Sequence, residues 1–553
     1  MQLRLEGLAG ELRDNTELHL ETLHDIEASR LTALEPDIRE TVTRALQALG
    51  YYQPDINIKP RQNPPDTLVI QVSAGKPVRV RSLHIDITGE AIRDRAFQRL
   101  LKNMPLQRGD VLNHGQYEAM KTALTSLALN RGYFDARLTR HTVAIDVDEL
   151  AADIRLSFES GVRYRFGRNH YGDMSEGTIH LLEYLLTFQP GQPYKAIKLG
   201  KLNRDISSTG YFSQIDVHPM RSEAENHEMP IYINVIPDRN HQLELGAGFS
   251  TDEGPRFSIT WDKPWVNDRG QSLTNELRAS EKRVEATSVY KIPVGHPLLE
   301  FYNLQLDYQY KDVEDTESNL FAPSIHRWSK KPNGWDRDLF FRLHYEDFRQ
   351  GQQQDKNFLL IPGITLSRRR VRGELDPHWG DQQMARLELS NRLWGSDTDF
   401  MKLWGRSKWL RSVAQKHRFL WRIEQGVIFI EDVRAIPPSI RFFTGGDQTV
   451  RGYDYESISP RDNSGKLTGA RYMTAASAEY EYQFAKHWRT ATFIDAGTAT
   501  NEYFTKEQND WKTGVGVGLR WITPLGPLKV DLAFAVSEKN TPWRIHFSIG
   551  PDI

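Results

Sequence analysis

Arg451 stands in Val450-Arg451-Gly452-Tyr453, inside a long polar segment at 431–469 that separates two strand-like stretches. A planar guanidinium pairs best with carboxylates, which it grips through two parallel hydrogen bonds. Two candidate partners follow. In the stretch after the segment, Ala476, Ala478, Tyr480, Tyr482 and Phe484 share one face, which turns Glu479 and Glu481 to the other. One strand later, Phe493-Ile494-Asp495-Ala496-Gly497 puts Asp495 where a charge belongs only on an inner face. The chemistry implied is an ionic latch holding a loop against a wall. Gly452 lets the backbone approach that wall or take a turn closed to other residues, and Tyr453 supplies a packing group.

Reaction chemistry is not signalled. The chain has 0 cysteines, which removes thiolate nucleophiles, zinc–thiolate sites and disulfides, and it contains no GxSxG, HExxH or P-loop pattern. The 17 histidines are scattered; His344 and His546 fall at inward-facing positions, where a polar lining accounts for them. The acid pairs Asp148-Glu149 and Asp252-Glu253 read as solvated turns. We therefore expect no enzyme, cofactor or metal. A formal net charge of −2 over 553 residues also gives no footprint for nucleic acid.

The elements that must position the latch come from a change of period. All 13 tryptophans lie between Trp261 and Trp543, which splits the chain into regions under different solvent constraints. From about residue 240, alternation dominates: Tyr302, Leu304, Leu306, Tyr308 and Tyr310 alternate with Asn303, Gln305, Asp307 and Gln309. Apolar and charged faces recurring in strand after strand fit a lipid-facing exterior and a wet lumen. Sixteen strands are expected, starting near 241, 255, 270, 283, 300, 322, 339, 358, 383, 400, 416, 470, 487, 511, 527 and 541. Segment 431–469 then joins the eleventh and twelfth, long enough to fold back into the lumen.

The first region repeats. Leu49-Gly50-Tyr51-Tyr52, Arg131-Gly132-Tyr133-Phe134 and Thr209-Gly210-Tyr211-Phe212 each end a helical pattern and precede a strand pattern, as a glycine helix stop does. Each unit reads strand–helix–helix–strand–strand. The joints Gly75-Lys76-Pro77-Val78-Arg79 and Gly161-Val162-Arg163-Tyr164-Arg165 are short and similar. The expected domains are 1–76, 77–160, 161–238 and a barrel over 239–553. The opening residues lack a basic leader and an apolar core, which reads as a mature or trimmed form.

Val450–Tyr453 after Gly445-Gly446, Phe493–Gly497, the stretch GVGVGLRWITPLGPLKVDLA at 514–533 and the ending WRIHFSIG at 543–550 resemble the outer-membrane barrel-assembly superfamily. That superfamily includes BamA and the two-partner-secretion transporters, and the repeats look like its POTRA domains. Three POTRA repeats, rather than the five of BamA, are most similar to its translocation-and-assembly-module branch. The resemblance implies α+β POTRA repeats followed by an all-β, 16-stranded antiparallel transmembrane barrel in the outer membrane of a Gram-negative bacterium, with the repeats in the periplasm. It implies Arg451 in a lumen latch with Glu479 and Asp495. It further implies unfolded outer-membrane protein clients, autotransporters among them, contact with outer-membrane lipid, and a TamB-like inner-membrane-anchored periplasmic partner.

A barrel closes between its first and last strands, and here both are weak. Gly246 and Gly248 lie in the first, Gly550 and Pro551 at the end of the last; glycine weakens a strand and proline cannot donate to a ladder. The expected function is client-strand pairing at this lateral seam. The alternative is a pore that passes an unfolded polypeptide or solute through the lumen.

Overall fold

The computed structural model describes residues 2–21, 31–61, 67–373, 376–414, 416–502, 511–524 and 526–549. It divides into two compact units, one of residues 1–172, 187–203 and 216–234, the other of residues 173–186, 204–215 and 235–553.

Each repeat has the expected order. The first runs β1 (Gln2–Glu6), α1 (Glu11–Leu20), α2 (Leu31–Ala48), β2 (Asp55–Arg61) and β3 (Thr67–Ser73). The second runs β4 (Arg79–Thr88), α3 (Arg95–Lys102), α4 (His114–Arg131), β5 (Arg137–Asp146) and β6 (Ala151–Glu159). The third runs β7 (Arg165–Tyr171), α5 (Glu176–Leu185), α6 (Ala196–Ser208), β8 (Phe212–Pro219) and β9 (Glu228–Pro237). In every sheet the last strand lies in the middle: β1-β3-β2, β4-β6-β5 and β7-β9-β8. In the first two repeats the helices cover one face. In the second repeat Phe97, Met120 and Leu124 bury against Ile154, Leu156 and Phe158, and Gly132 caps α4 at φ 84°, a left-handed conformation that stops the helix.

Within the second unit, Trp265, from a turn of the barrel, packs on Leu181 of α5 and on Tyr211, the aromatic of the third glycine-aromatic pair. That pair is thus a helix stop and a docking surface at once.

The barrel is a single antiparallel sheet of sixteen strands. These are β10 (Gln242–Ser250), β11 (Gly254–Lys263), β12 (Ser272–Ser280), β13 (Arg283–Pro293), β14 (Glu300–Val313), β15 (Thr316–Lys330), β16 (Asp336–Gln350) and β17 (Gln353–Arg372), then β18 (Trp379–Ser390), β19 (Phe400–Val413), β20 (His417–Phe429), β21 (Tyr472–Ala485), β22 (Trp488–Thr500), β23 (Lys512–Thr523), β24 (Gly526–Ala535) and β25 (Trp543–Ile549). Their order in the sheet is their order in the chain, each paired to the next. Leu304, Leu306 and Tyr308 of β14 and Phe341 and Tyr345 of β16 stand on the exposed face, as lipid contact requires. β15, β17 and β18 start earlier than their alternation suggests, because their leading residues, Thr316, Gln353 and Trp379 among them, continue the ladder beyond the apolar band.

Part of the lumen differs from the wet interior expected. Phe340, Leu359, Ile361, Phe400, Ile428 and Met473 form an inward apolar cluster, filled by Val433, Ile436, Ile440 and Phe442 of the segment between β20 and β21. The loop brings its own apolar side chains, and these dry that side of the interior.

Candidate functional site

The segment between β20 and β21 folds on itself through short bridges, Phe442 with Ala470 and Thr444 with Ile458. It is anchored at several points. Arg441 is buried and donates to the Thr468 carbonyl at 2.7 Å and to Gln353 at 2.8 Å. Lys311 of β14 pairs with Glu456, and Arg283 of β13 donates to the Tyr455 hydroxyl at 3.0 Å.

Arg451 is the densest anchor. Its Nε and Nη2 donate to the two oxygens of Asp495 at 2.7 and 3.1 Å, a bidentate grip, while its Nη1 donates to Glu479 at 2.7 Å and to Asp531 at 3.0 Å. The guanidinium carbon sits 3.4 Å from the centre of the Phe493 ring. Arg520 of β23 completes the group, donating to Glu479 at 2.7 Å, Glu481 at 3.2 Å and Asp531 at 2.5 Å. Asp495 is 0% exposed and Arg451 6%, so these charges have left water and depend on one another.

Glycines make the approach possible. A Cβ on Gly514 would lie 1.9 Å from the Arg451 carbonyl oxygen. Gly452 has φ +97°, and a Cβ there would meet the Ala535 amide nitrogen at 3.1 Å, so it takes the turn and the close approach together. Tyr453 packs with Val450, Ile458 and Ala535.

The same loop reaches both edges of the sheet. β10 and β25 lie at opposite ends of the strand order, and no ladder pairs them among the described residues. What joins them is sparse: the Phe547 amide donates to Thr251 Oγ1 at 2.9 Å, and the rings of Phe249 and Phe547 lie 5.9 Å apart. The loop adds a bridge. The Asp447 amide donates to Asp252 Oδ2 at 2.8 Å, the Asp447 carboxylate meets His546 Nδ1, and His546 Nε2 accepts the Gly452 amide at 2.9 Å.

Asp252 was expected to be solvated and is instead 6% exposed, because the loop covers the β10–β11 turn. Burial, reinforced by Asp447, raises its carboxyl to about 7. Asp252, Asp447 and His546 have a spacing that suits a metal ion. Their hydrogen bonds do not: with Nε2 accepting the Gly452 amide, the ring proton is on Nδ1 facing Asp447, and no ring lone pair is left for a metal.

The structure therefore brings Arg451, Gly452, Tyr453, Glu479 and Asp495 together. Gly246 and Gly248 lie on β10 opposite Ser258 and Arg256, while Gly550 and Pro551 lie outside the described residues. His344 and His546 contact the loop rather than merely lining the lumen, His344 through Ser439 at 3.2 Å. Sequence reasoning missed Arg520 and Asp531. Both lie at inward positions of 514–533, and their parity was the available signal.

This is a chain of POTRA repeats leading into a nearly closed sixteen-stranded barrel with an ion-paired loop inside. Residues 238–553 match the Omp85 superfamily domain, residues 2–74 the POTRA domain of the TamA domain 1 type, and residues 79–161 the surface antigen variable number repeat type of POTRA domain. The chain belongs to the Omp85 superfamily, whose barrels are outer-membrane proteins with periplasmic POTRA domains. It is 22% identical over 409 residues to the outer membrane protein assembly factor BamA of Nitratidesulfovibrio vulgaris, covering 65% of this chain and 48% of that protein. It is 27% identical to BamA of Neisseria meningitidis serogroup B, covering 87% and 79% respectively. The chain thus spans about half the length of the first of these relatives. Its fold matches the crystal structure of BamA from Haemophilus ducreyi lacking POTRA domains 1–3, with a TM-score of 0.71, 13% identity, and 85% and 99% of the two chains covered.

Proposed function

We propose that this chain is an outer-membrane protein assembly factor of the TamA type, the outer-membrane subunit of a translocation and assembly module. It inserts and translocates outer-membrane proteins, autotransporters among them, by pairing a client strand at the seam between β10 and β25. The POTRA sheets deliver the client through their edges, and a TamB-like inner-membrane-anchored protein is the periplasmic partner. The reaction is strand exchange in a perturbed bilayer and uses no catalytic residue.

The observation that carries this reading is the unpaired seam. Two edge strands with free backbone donors and acceptors are a template for an incoming strand. The likeness to BamA proteins and the TamA-type first repeat support the same reading. The apolar cluster and the Arg451 network tie the loop to the inner wall of the barrel, which weighs against a freely conducting pore.

Reconstitution tests it. Liposomes holding the purified protein should fold an added, urea-denatured autotransporter β-domain to its heat-modifiable form faster than empty liposomes. Equal folding rates in both would sink the proposal, and large conductance with no client folding would favour the pore.

A further inference from the structure

The second repeat, its joint to the third and Pro193, Asn226 and His227 of the third line an open cavity of about 530 Å³ with an unbalanced wall. Five arginines line it, Arg93, Arg95, Arg131, Arg163 and Arg165, against two carboxylates, Glu90 and Asp94. Neither carboxylate is free to balance the excess. Asp94 caps α3 by accepting the Ala96 amide at 2.9 Å, and it also accepts Arg131 Nε at 2.5 Å and the Tyr133 hydroxyl at 3.2 Å. Arg163 Nη1 lies 3.7 Å from the same carboxylate. Glu90 accepts the Arg163 backbone amide at 3.1 Å.

Arg163 belongs to the joint Gly161–Arg165, and its head is fixed from behind. It donates to the carbonyls of Arg131 at 2.8 Å and Tyr194 at 3.1 Å. Burial, and then repulsion from Arg131, pull its pKa below the usual arginine value, so the fold holds this charge at a cost. Here Arg93 and Arg95 have no ion-pair partner among the described residues, and both stand exposed at the cavity mouth.

We propose that this cavity binds a phosphate-bearing anion. Guanidinium forks match phosphate oxygens in pairs; Arg93 and Arg95 offer such forks at the mouth, and behind them Arg131 and Arg163 share the single carboxylate of Asp94, which leaves charge for an incoming anion to neutralise. The space, about 530 Å³, leaves room beside the phosphate for an esterified group, either of a soluble phosphate ester or of a phospholipid head group.

The test uses the full chain in a neutral detergent, titrated calorimetrically with inorganic phosphate and with glycerol 3-phosphate. In parallel, protein in phosphatidylcholine nanodiscs is mixed with phosphatidylcholine vesicles with or without phosphatidylglycerol. Arg93→Ala with Arg95→Ala removes the two unpartnered charges. Arg99→Ala with Lys102→Ala removes two charges farther along α3, outside the cavity lining, and unchanged melting shows that both variants fold. Glycerol 3-phosphate should bind saturably and lose about tenfold or more in affinity, roughly 1.4 kcal/mol, in the first variant only. Phosphatidylglycerol vesicles captured through Arg93 and Arg95 identify a head group as the source; indifference to vesicles with retained ester binding identifies a soluble ester. Absence of saturable binding in both arms, or equal weakening by both variants, overturns the proposal.

Discussion

Replacing Arg451 with alanine is the sharpest perturbation of the latch. It removes four side-chain hydrogen bonds, two to Asp495 and one each to Glu479 and Asp531. The carboxylates do not suffer equally. Glu479 and Asp531 keep Arg520 at 2.7 and 2.5 Å, whereas Asp495, among the described residues, keeps hydrogen bonds only from Ser477 Oγ at 2.6 Å and the residue 451 backbone amide at 3.1 Å. Stranding a buried charge costs about 3–5 kcal/mol, and the cost falls on the loop's attachment rather than on the ladders. Hydrogen–deuterium exchange over 447–456 should therefore accelerate by about two orders of magnitude or more, at roughly 1.4 kcal/mol per tenfold. The heat-modifiable transition should drop as well. Arg451→Lys keeps the charge, loses the fork and should fall between. Adding Asp495→Asn to Arg451→Ala should recover part of the loss, since the stranded charge is gone. Wild-type exchange and an unchanged transition in Arg451→Ala would refute the claim that these ion pairs hold the loop.

Three further outcomes follow from the same geometry. Gly514→Ala puts a carbon against the Arg451 carbonyl, so it should destabilise loop attachment by about 1–3 kcal/mol and, in the same exchange experiment, add little to Arg451→Ala. Asp252 binds its proton more tightly folded than unfolded, with its folded pKa raised from 3.8 to about 7; its contribution to stability is therefore full below pH 3.8 and lost as pH rises to about 7. Asp252→Asn should flatten that slope in thermal melts and gain at least about 1 kcal/mol at pH 8. Trp265→Ala should cost about 3–5 kcal/mol of packing against Leu181 and Tyr211, read as proteolytic sensitivity at residues 176–186 with the barrel intact.

Much of this architecture is legible in the chain because its periods are local. A glycine after a helical face and alternation along a strand both report on immediate neighbours, and so the repeats and strand starts emerge from the residues themselves. Arg451 with Glu479 and Asp495 was legible because parity fixes which carboxylates face inward. Arg520 and Asp531 obey the same parity, but their part in the network depends on which strands surround the loop, and that is set by barrel closure. Asp252 shows the limit most clearly. An Asp-Glu pair in a turn looks solvated until a loop some two hundred residues later covers it, and nothing near residue 252 encodes that. The dry side of the lumen has the same origin, since Ile436, Ile440 and Phe442 read as an interruption in a polar segment.

The seam is the central claim, and the missing cysteines make it directly testable. Phe249 and Phe547, whose rings lie 5.9 Å apart, mark the part of the seam to scan for cysteine pairs that oxidise across β10 and β25. Phe249→Cys with Phe547→Cys, together with neighbouring pairs found to oxidise, would lock the seam while client autotransporter assembly is followed with and without reductant. Assembly should stop on oxidation and return on reduction. A locked barrel that assembles its client at the normal rate would contradict it.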